Sequence, residues 1–258
     1  MSTLPTTSTP HRIVIAGGCH VNGWPIGKAS GFVEVMLHDC HCENSSTVAP
    51  INLRNSSSLL QLLRQQPADT VILQFGNYET MASIKKHIRA VLHLGRKYHC
   101  SENSGLQVPP DTLFISTLPW RLRVLCKLAY GYTLGHIPPA LFDARAFRRQ
   151  CEQLLSDLEH LEDTPRIVIF LSPIPCADPL INRYRCQAAQ IIRCLCDAAS
   201  PRLPFHVRYV DSAQVLGITP QITQALHTRV FADDLHLNGR GHLLLGLGLA
   251  TILQTNLV

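Results

Sequence analysis

The chain has 258 residues, of which 46% are hydrophobic and 16% charged. These proportions exclude a disordered chain and fit one α/β domain with an insertion better than two independent domains. The formal charge of +5 is mild and scattered, with no lysine or arginine run, so it gives no indication of nucleic-acid binding and leaves room for an acidic partner.

Residues 1–10 are polar and threonine-rich and read as a disordered tail ahead of one domain covering 11–258. They hold no apolar stretch of the kind a secretory signal needs. Residues 12–16 are an apolar, β-branched run ending in Gly17-Gly18, the pattern of a buried parallel strand closing in a tight turn. The stretch from Gly27 to Cys40 is expected to be helical, with Phe32, Val35 and Met36 inward. Residues 48–53 read as a second strand, 59–64 as a short amphipathic helix stopped by Pro67, and 70–75 as a third strand ending at Gly76. Ile84, Ile88, Val91 and Leu92 give the next helix its apolar stripe.

Residues 101–110 form a loop, and 113–142 fit the alternation of strand and helix poorly. That segment holds Trp120, Tyr130, Tyr132 and several basic residues, so an insertion at about 99–145 is read as a cap over the site. Phe147, Cys151, Leu154, Leu155, Leu158 and Leu161 then follow helical spacing behind Asp143 as N-cap. Residues 166–171 are a fourth strand, Asp178-Pro179 opens a further helix, 206–210 are a fifth strand, and a last helix begins near Gly239. Strands alternating with helices predict a parallel sheet covered on both faces, in order 2-1-3-4-5, with the site outside the carboxyl ends of the strands.

Ten cysteines would suit a disulfide framework in a small secreted domain, but a chain this long does not need one. The longest apolar run, 243–253, is too short to span a bilayer. The expectation is a cytoplasmic protein, off the membrane, with mostly reduced and buried thiols. His38-Asp39-Cys40-His41-Cys42-Glu43 has the composition of a metal cluster, but adjacent ligands rarely close one tetrahedron. Cys194 and Cys196 are expected to pack in the core, and His242 to pack or to cap a helix.

Three strand ends carry candidate chemistry: Gly17-Gly18-Cys19-His20, Gly76-Asn77 and Asp233-Asp234-Leu235-His236. In this order they resemble the SGNH hydrolase superfamily, also called the GDSL-type esterases. The resemblance implies a flavodoxin-like three-layer α/β/α fold. It places Cys19 at the family's nucleophilic serine, Asn77 at its oxyanion-hole asparagine, and Asp233 and His236 at its remaining triad members. Gly18 stands where the family has aspartate. The second block aligns with Asn52-Leu53-Arg54-Asn55-Ser56-Ser57, where both family glycines are missing. Ser57 then falls at the backbone oxyanion donor, and the N–H of Cys19 itself completes the hole.

The residue chemistry points the same way. A thiol in a strand-to-helix turn faces a helix N-terminus, which favours thiolate, and thiolate is a strong nucleophile. His236 is placed to exchange the thiol proton, and Asp233 to hold the imidazole in one tautomer, with Asp234 as its competitor for that role. The expected activity is acyl transfer from a small ester or thioester, with acyl-CoA and acyl carrier protein as candidate donors. No cofactor is called for. Two other classes stay open: an SGNH-like fold that binds a ligand or partner without catalysis, and a metal or redox protein built on Cys40 and Cys42.

Overall fold

A computed structural model describes residues 11–81, 142–176, 178–218 and 229–257. The helix expected over Ile84 to Leu92 lies outside the described residues, as does nearly all of the expected cap.

Strand β1 (Ile13–Gly17) is buried at every position, and so is β3 (Thr70–Gln74). A strand buried on both faces needs cover on both, which alternating side chains distribute evenly. Val14, Ala16, Val71, Leu73, Val168 and Phe170 enter one apolar cluster, while Ile13, Ile15, Ile72, Ile169 and Leu171 enter another. The sheet is completed by β2 (Ser46–Ala49), β4 (Ile167–Leu171) and β5 (His206–Val210). Its order is β2-β1-β3-β4-β5, with all four pairings parallel, as the alternation predicts.

Each cluster has its own helices. The first is closed by α2 (Ser56–Gln65), α3 (Ala144–Glu159) and α4 (Pro179–Ala199) through Leu59, Leu63, Phe147, Leu154 and Ile192. The second is closed by α1 (Phe32–Asp39), α5 (Ser212–Val215) and α6 (Gly239–Leu257) through Phe32, Met36, Ala213, Leu245 and Leu249. Asp143 caps α3 by accepting from the Ala146 N–H at 2.9 Å, and Asp178 accepts from the Ile181 N–H at 3.0 Å in the first turn of α4. Among the described residues no helix is long and apolar enough to cross a membrane.

Three expectations are corrected. The second strand starts earlier and ends at Ala49, because Pro50 has no N–H for the ladder and Leu53 already begins a 3₁₀ turn. No helix follows Cys19 directly. Gly23 and Gly27 adopt φ of +72° and +97°, residues 19–26 run as turns, and α1 starts only at Phe32. The helix-dipole argument for the Cys19 thiolate therefore falls. Cys194 is exposed, as is Cys186, whereas Cys196 is buried with Cys151 and Cys176.

Candidate active site

Parallel pairing brings Gly17 alongside Gln74, so the turns leaving β1 and β3 emerge as neighbours. Gly17 is required there: a Cβ would lie 2.5 Å from Val21 Cγ2 and 2.8 Å from the Gln74 carbonyl. Gly76 has φ of +100°, and a Cβ on it would meet Pro173 Cγ at 2.4 Å. These two glycines let the turns fold tightly enough to present Cys19 and Asn77 at the same edge.

The loop after β3 is anchored by Glu79, which is buried. Its Oε2 accepts the Gly76 N–H at 2.7 Å and its Oε1 accepts the Leu53 N–H at 2.8 Å. One carboxylate thus ties the loop after β2 to the loop after β3. Asn77, also buried, accepts the Ile174 N–H on Oδ1 at 2.9 Å and donates from Nδ2 to His20 Nδ1 at 3.1 Å.

The third element is the turn before α6. Asp233 Oδ1 accepts the N–H groups of Leu235 at 2.7 Å and His236 at 2.8 Å, and Oδ2 lies 2.8 Å from His236 Nδ1. Asp233 therefore shapes the turn and holds the imidazole at once. Burial pulls the His236 pKa down, but hydrogen bonds to Asp233 and Cys19 and the attraction of both groups push it up to about 9. Cys19, half-buried, is thus the second side chain that acts on His236. Burial works to raise the Asp233 carboxyl, and the hydrogen bond and charge of His236 together with the two backbone N–H groups hold it below its ordinary value.

Two further imidazoles lie beside this group. His20, fully buried, packs its ring centroid 5.4 Å from that of His236 and 6.3 Å from that of His242. Burial lowers its pKa well below the ordinary histidine value, helped by the charges of Arg185, His236 and His242 and opposed by the Leu235 backbone. His242 accepts the Phe32 N–H on Nδ1 at 3.1 Å and donates from Nε2 to the Trp24 carbonyl at 3.2 Å, so it caps α1 as the sequence suggests. Its pKa is lowered too, chiefly by burial. Arg185 of α4, 3% exposed, donates from Nη1 to the Ile174 carbonyl at 2.7 Å and the Leu235 carbonyl at 3.4 Å. It fastens the loop after β4 to the His236 turn.

The structure thus brings together Cys19, Asn77, Asp233 and His236. Ser57 sits exposed in the first turn of α2, and no described hydrogen bond joins it to the other four. The Leu53 and Arg54 N–H groups nearby are already taken, by Glu79 and by Asn52 Oδ1. Residues missed in the sequence are Glu79, His20 in its buried role, and Arg185. Among the described residues no three His, Cys, Asp or Glu side chains group as metal ligands. His38 pairs with Glu43 at 2.9 Å in solvent, and the Cys40 thiol is pushed up to about 11, first by burial.

The histidines predict a two-sided pH profile of stability. The folded His236 pKa of about 9 lies above the ordinary 6.5, so its contribution is complete below pH 6.5 and is lost as pH rises through 9. His20 and His242 are depressed below 6.5, so the unfolded chain takes their protons first and stability falls as pH drops below that value. Denaturant midpoints measured from pH 5 to 10 are expected to peak near 6.5, with the alkaline decline flattened in His236→Asn. An alkaline limb of equal slope in that variant would contradict the assignment.

No protein-family model matches the chain, and no curated protein sequence does. Solved structures do resemble it. A lipolytic protein of the G-D-S-L family from Desulfitobacterium hafniense superposes with a TM-score of 0.55 at 11% identity, over 93% of this chain and 98% of that one. A catalytic mutant of an acetylxylan esterase from Geobacillus stearothermophilus gives 0.52 at 11% identity, over 93% of each chain. A salicylyl-acyltransferase from a tetracycline biosynthetic pathway gives 0.52 at 14% identity, over 98% of this chain and 56% of that one. The fold is therefore the α/β fold of the GDSL-type lipolytic proteins and esterases.

Proposed function

We propose that this chain is an acyl-transfer enzyme that takes an acyl group from an ester or thioester onto Cys19. The observation that carries this reading is the Asp233–His236 pair at 2.8 Å meeting Cys19 beside Asn77, at the carboxyl end of the sheet. The resemblance of the fold to esterases and to an acyltransferase supports it.

With a pKa of about 9, His236 carries its proton at neutral pH and can stand as counter-ion to a Cys19 thiolate. The sulfur attacks the acyl carbonyl, and the carbonyl oxygen becomes an oxyanion. Asn77 Nδ2 and the Cys19 N–H donate to it, with Ser57 N–H as the third donor if the substrate draws α2 into contact. Each donor of this kind typically contributes about 3 kcal/mol. As the tetrahedral centre collapses, His236 gives its proton to the departing alkoxide or thiolate. The neutral imidazole then takes a proton from water or another acceptor, which attacks acyl-Cys19 and releases the thiolate. Asp233 keeps the imidazole in the tautomer both halves require.

Exchange between a thioester donor and a cysteine thiol is close to thermoneutral, whereas an oxygen ester runs uphill onto sulfur. That favours thioester donors such as acyl-CoA or an acylated carrier protein, and it favours transfer to a non-water acceptor. A cytoplasmic setting accords with such donors. The basic residues of the expected cap, Arg121 and Arg123, suit their phosphates.

The test is rapid quench after mixing with a panel of acyl thioesters and esters, followed by intact-mass analysis and peptide mapping. An acyl adduct on the Cys19 peptide, with matching release of thiol or alcohol, is expected. Neither adduct nor release above the buffer rate would leave a ligand-binding protein on an esterase fold.

A further inference from the structure

We infer that His20 is a positioning residue for the oxyanion hole: it holds the Asn77 amide so that one N–H is spent on the imidazole and the other is left facing the acyl oxygen at Cys19. This rests on the acyl-transfer reading above and deepens it.

The orientation of Asn77 follows from hydrogen-bond chemistry alone. A backbone N–H can only donate, so the atom 2.9 Å from the Ile174 N–H must be the amide oxygen. The NH2 group then faces His20, at 3.1 Å from Nδ1. An amide nitrogen cannot accept, so His20 Nδ1 must present its lone pair, and the ring must carry its proton on Nε2, a buried atom that meets no hydrogen-bond partner among the described residues. The cationic form of His20 would place an N–H against the Asn77 NH2. Burial and the nearby positive charges of Arg185 and His236 disfavour that form.

Two donors compete for the one lone pair on Nδ1. Cys19 Sγ lies 3.6 Å from it, longer and weaker than the Asn77 contact. With Nδ1 engaged by Asn77, the thiol proton is directed to His236. His20 and Cys19 are adjacent in one turn, so the nucleophile and its oxyanion donor are held by the same two residues of backbone. At its other side Asn77 is held through Ile174, whose carbonyl is fixed by Arg185. The amide is thereby gripped at both ends, with little freedom left in its plane.

The test compares two readouts and two substitutions. Acylation by a thioester needs the oxyanion hole, whereas alkylation of Cys19 by iodoacetamide does not. His20→Asn puts an acceptor oxygen at the same δ position as Nδ1. His20→Gln moves the acceptor one bond outward. The expected result is that His20→Gln lowers kcat for acylation by about 100-fold, the usual effect of losing one oxyanion donor, with KM and the alkylation rate changed less than about threefold. His20→Asn should recover much of that loss. His20→Gln on an Asn77→Ala background should cost little more than Asn77→Ala alone, because the two act as one unit. Equal losses in His20→Asn and His20→Gln, or full additivity with Asn77→Ala, would overturn the inference while leaving acyl transfer intact. The nitrogen-15 signals of His20 give a second measure that needs no variant to fold. A neutral Nε2–H ring from pH 6 to 8 is expected, and an Nδ1–H ring would overturn the inference. Absence of any acyl adduct in the wild-type protein would defeat the function first and the inference with it.

Discussion

Cys19→Ala is expected to reduce thioester turnover to background, a loss on the order of 10⁶-fold by comparison with triads that lose their nucleophile. It should also remove the acyl adduct entirely from the mapped peptide. The reason is chemical: among the described residues Cys19 is the thiol that meets His236, while Cys151 and Cys196 are sealed in the core, their thiols raised first by burial. Cys186 and Cys194 are exposed on α4, and neither is seen in contact with an imidazole. Cys19→Ser is the more instructive change. A hydroxyl gives no stable anion for an imidazolium to pair with, so His236 must act as a true base, and its pKa should fall from about 9 toward its ordinary value. Weak residual activity that rises with pH is expected. Undiminished turnover in Cys19→Ala, measured by thiol release, would show that the nucleophile lies elsewhere.

Asp233→Asn is expected to lower the rate by up to about 10⁴-fold while leaving the fold and its thermal transition nearly unchanged. The asparagine oxygen can still accept the two backbone N–H groups that Asp233 Oδ1 holds at 2.7 and 2.8 Å, so the turn survives. The other oxygen becomes an NH2 that donates to His236 Nδ1 where Oδ2 now sits at 2.8 Å. That forces the proton onto Nε2, and the ring loses the lone pair it needs on the Cys19 side. Asp233 has 54% of its side chain exposed, so solvent can compensate in part and the loss should sit below that of Cys19→Ala. The readout is single-turnover acylation across pH. A variant within tenfold of wild type would mean that Asp233 only shapes the turn.

The central strands were legible because β1 and the middle of β3, Val71 to Leu73, are apolar runs with a glycine at or just beyond the strand end, and both glycines prove to be forced by close contacts. Asp143, Asp178 and His242 were legible as caps for the same kind of reason, a polar side chain at a helix start or beside one. Strand β2 was misplaced because it is only half-buried at three of its four positions, so it lacks the apolar signature that marked its neighbours. The turn after Cys19 was mistaken for the approach to a helix because positive φ at Gly23 and Gly27 is a property of the folded backbone, not of apolar spacing. That Cys19, Asn77, Asp233 and His236 lie near one another was legible from three short motifs, of which two do follow β1 and β3 while the third lies in the turn before α6 and not at a strand end. The supports of that group were not. Glu79 and Arg185 are charged residues on sequences that read as solvated surface, and only tertiary structure shows them bonded to backbone groups inside the protein.

The all-parallel register also governs the order in which this molecule can come into being. Among the described residues no two of the five strands pair through a hairpin, and Thr70 must find Ile167 across nearly a hundred intervening residues before β3 and β4 can zip. Closing loops of that length costs entropy before any contact returns it, so refolding should be slow for a chain of this size. The thiol arrives with the first strand and its imidazole near the end of the chain, next to the helix whose His242 reaches back to hold the Trp24 carbonyl and the Phe32 N–H. On the proposed reading Cys19 therefore lacks its imidazole partner until α6 has docked, so the onset of its acylation is expected to report the docking of that helix.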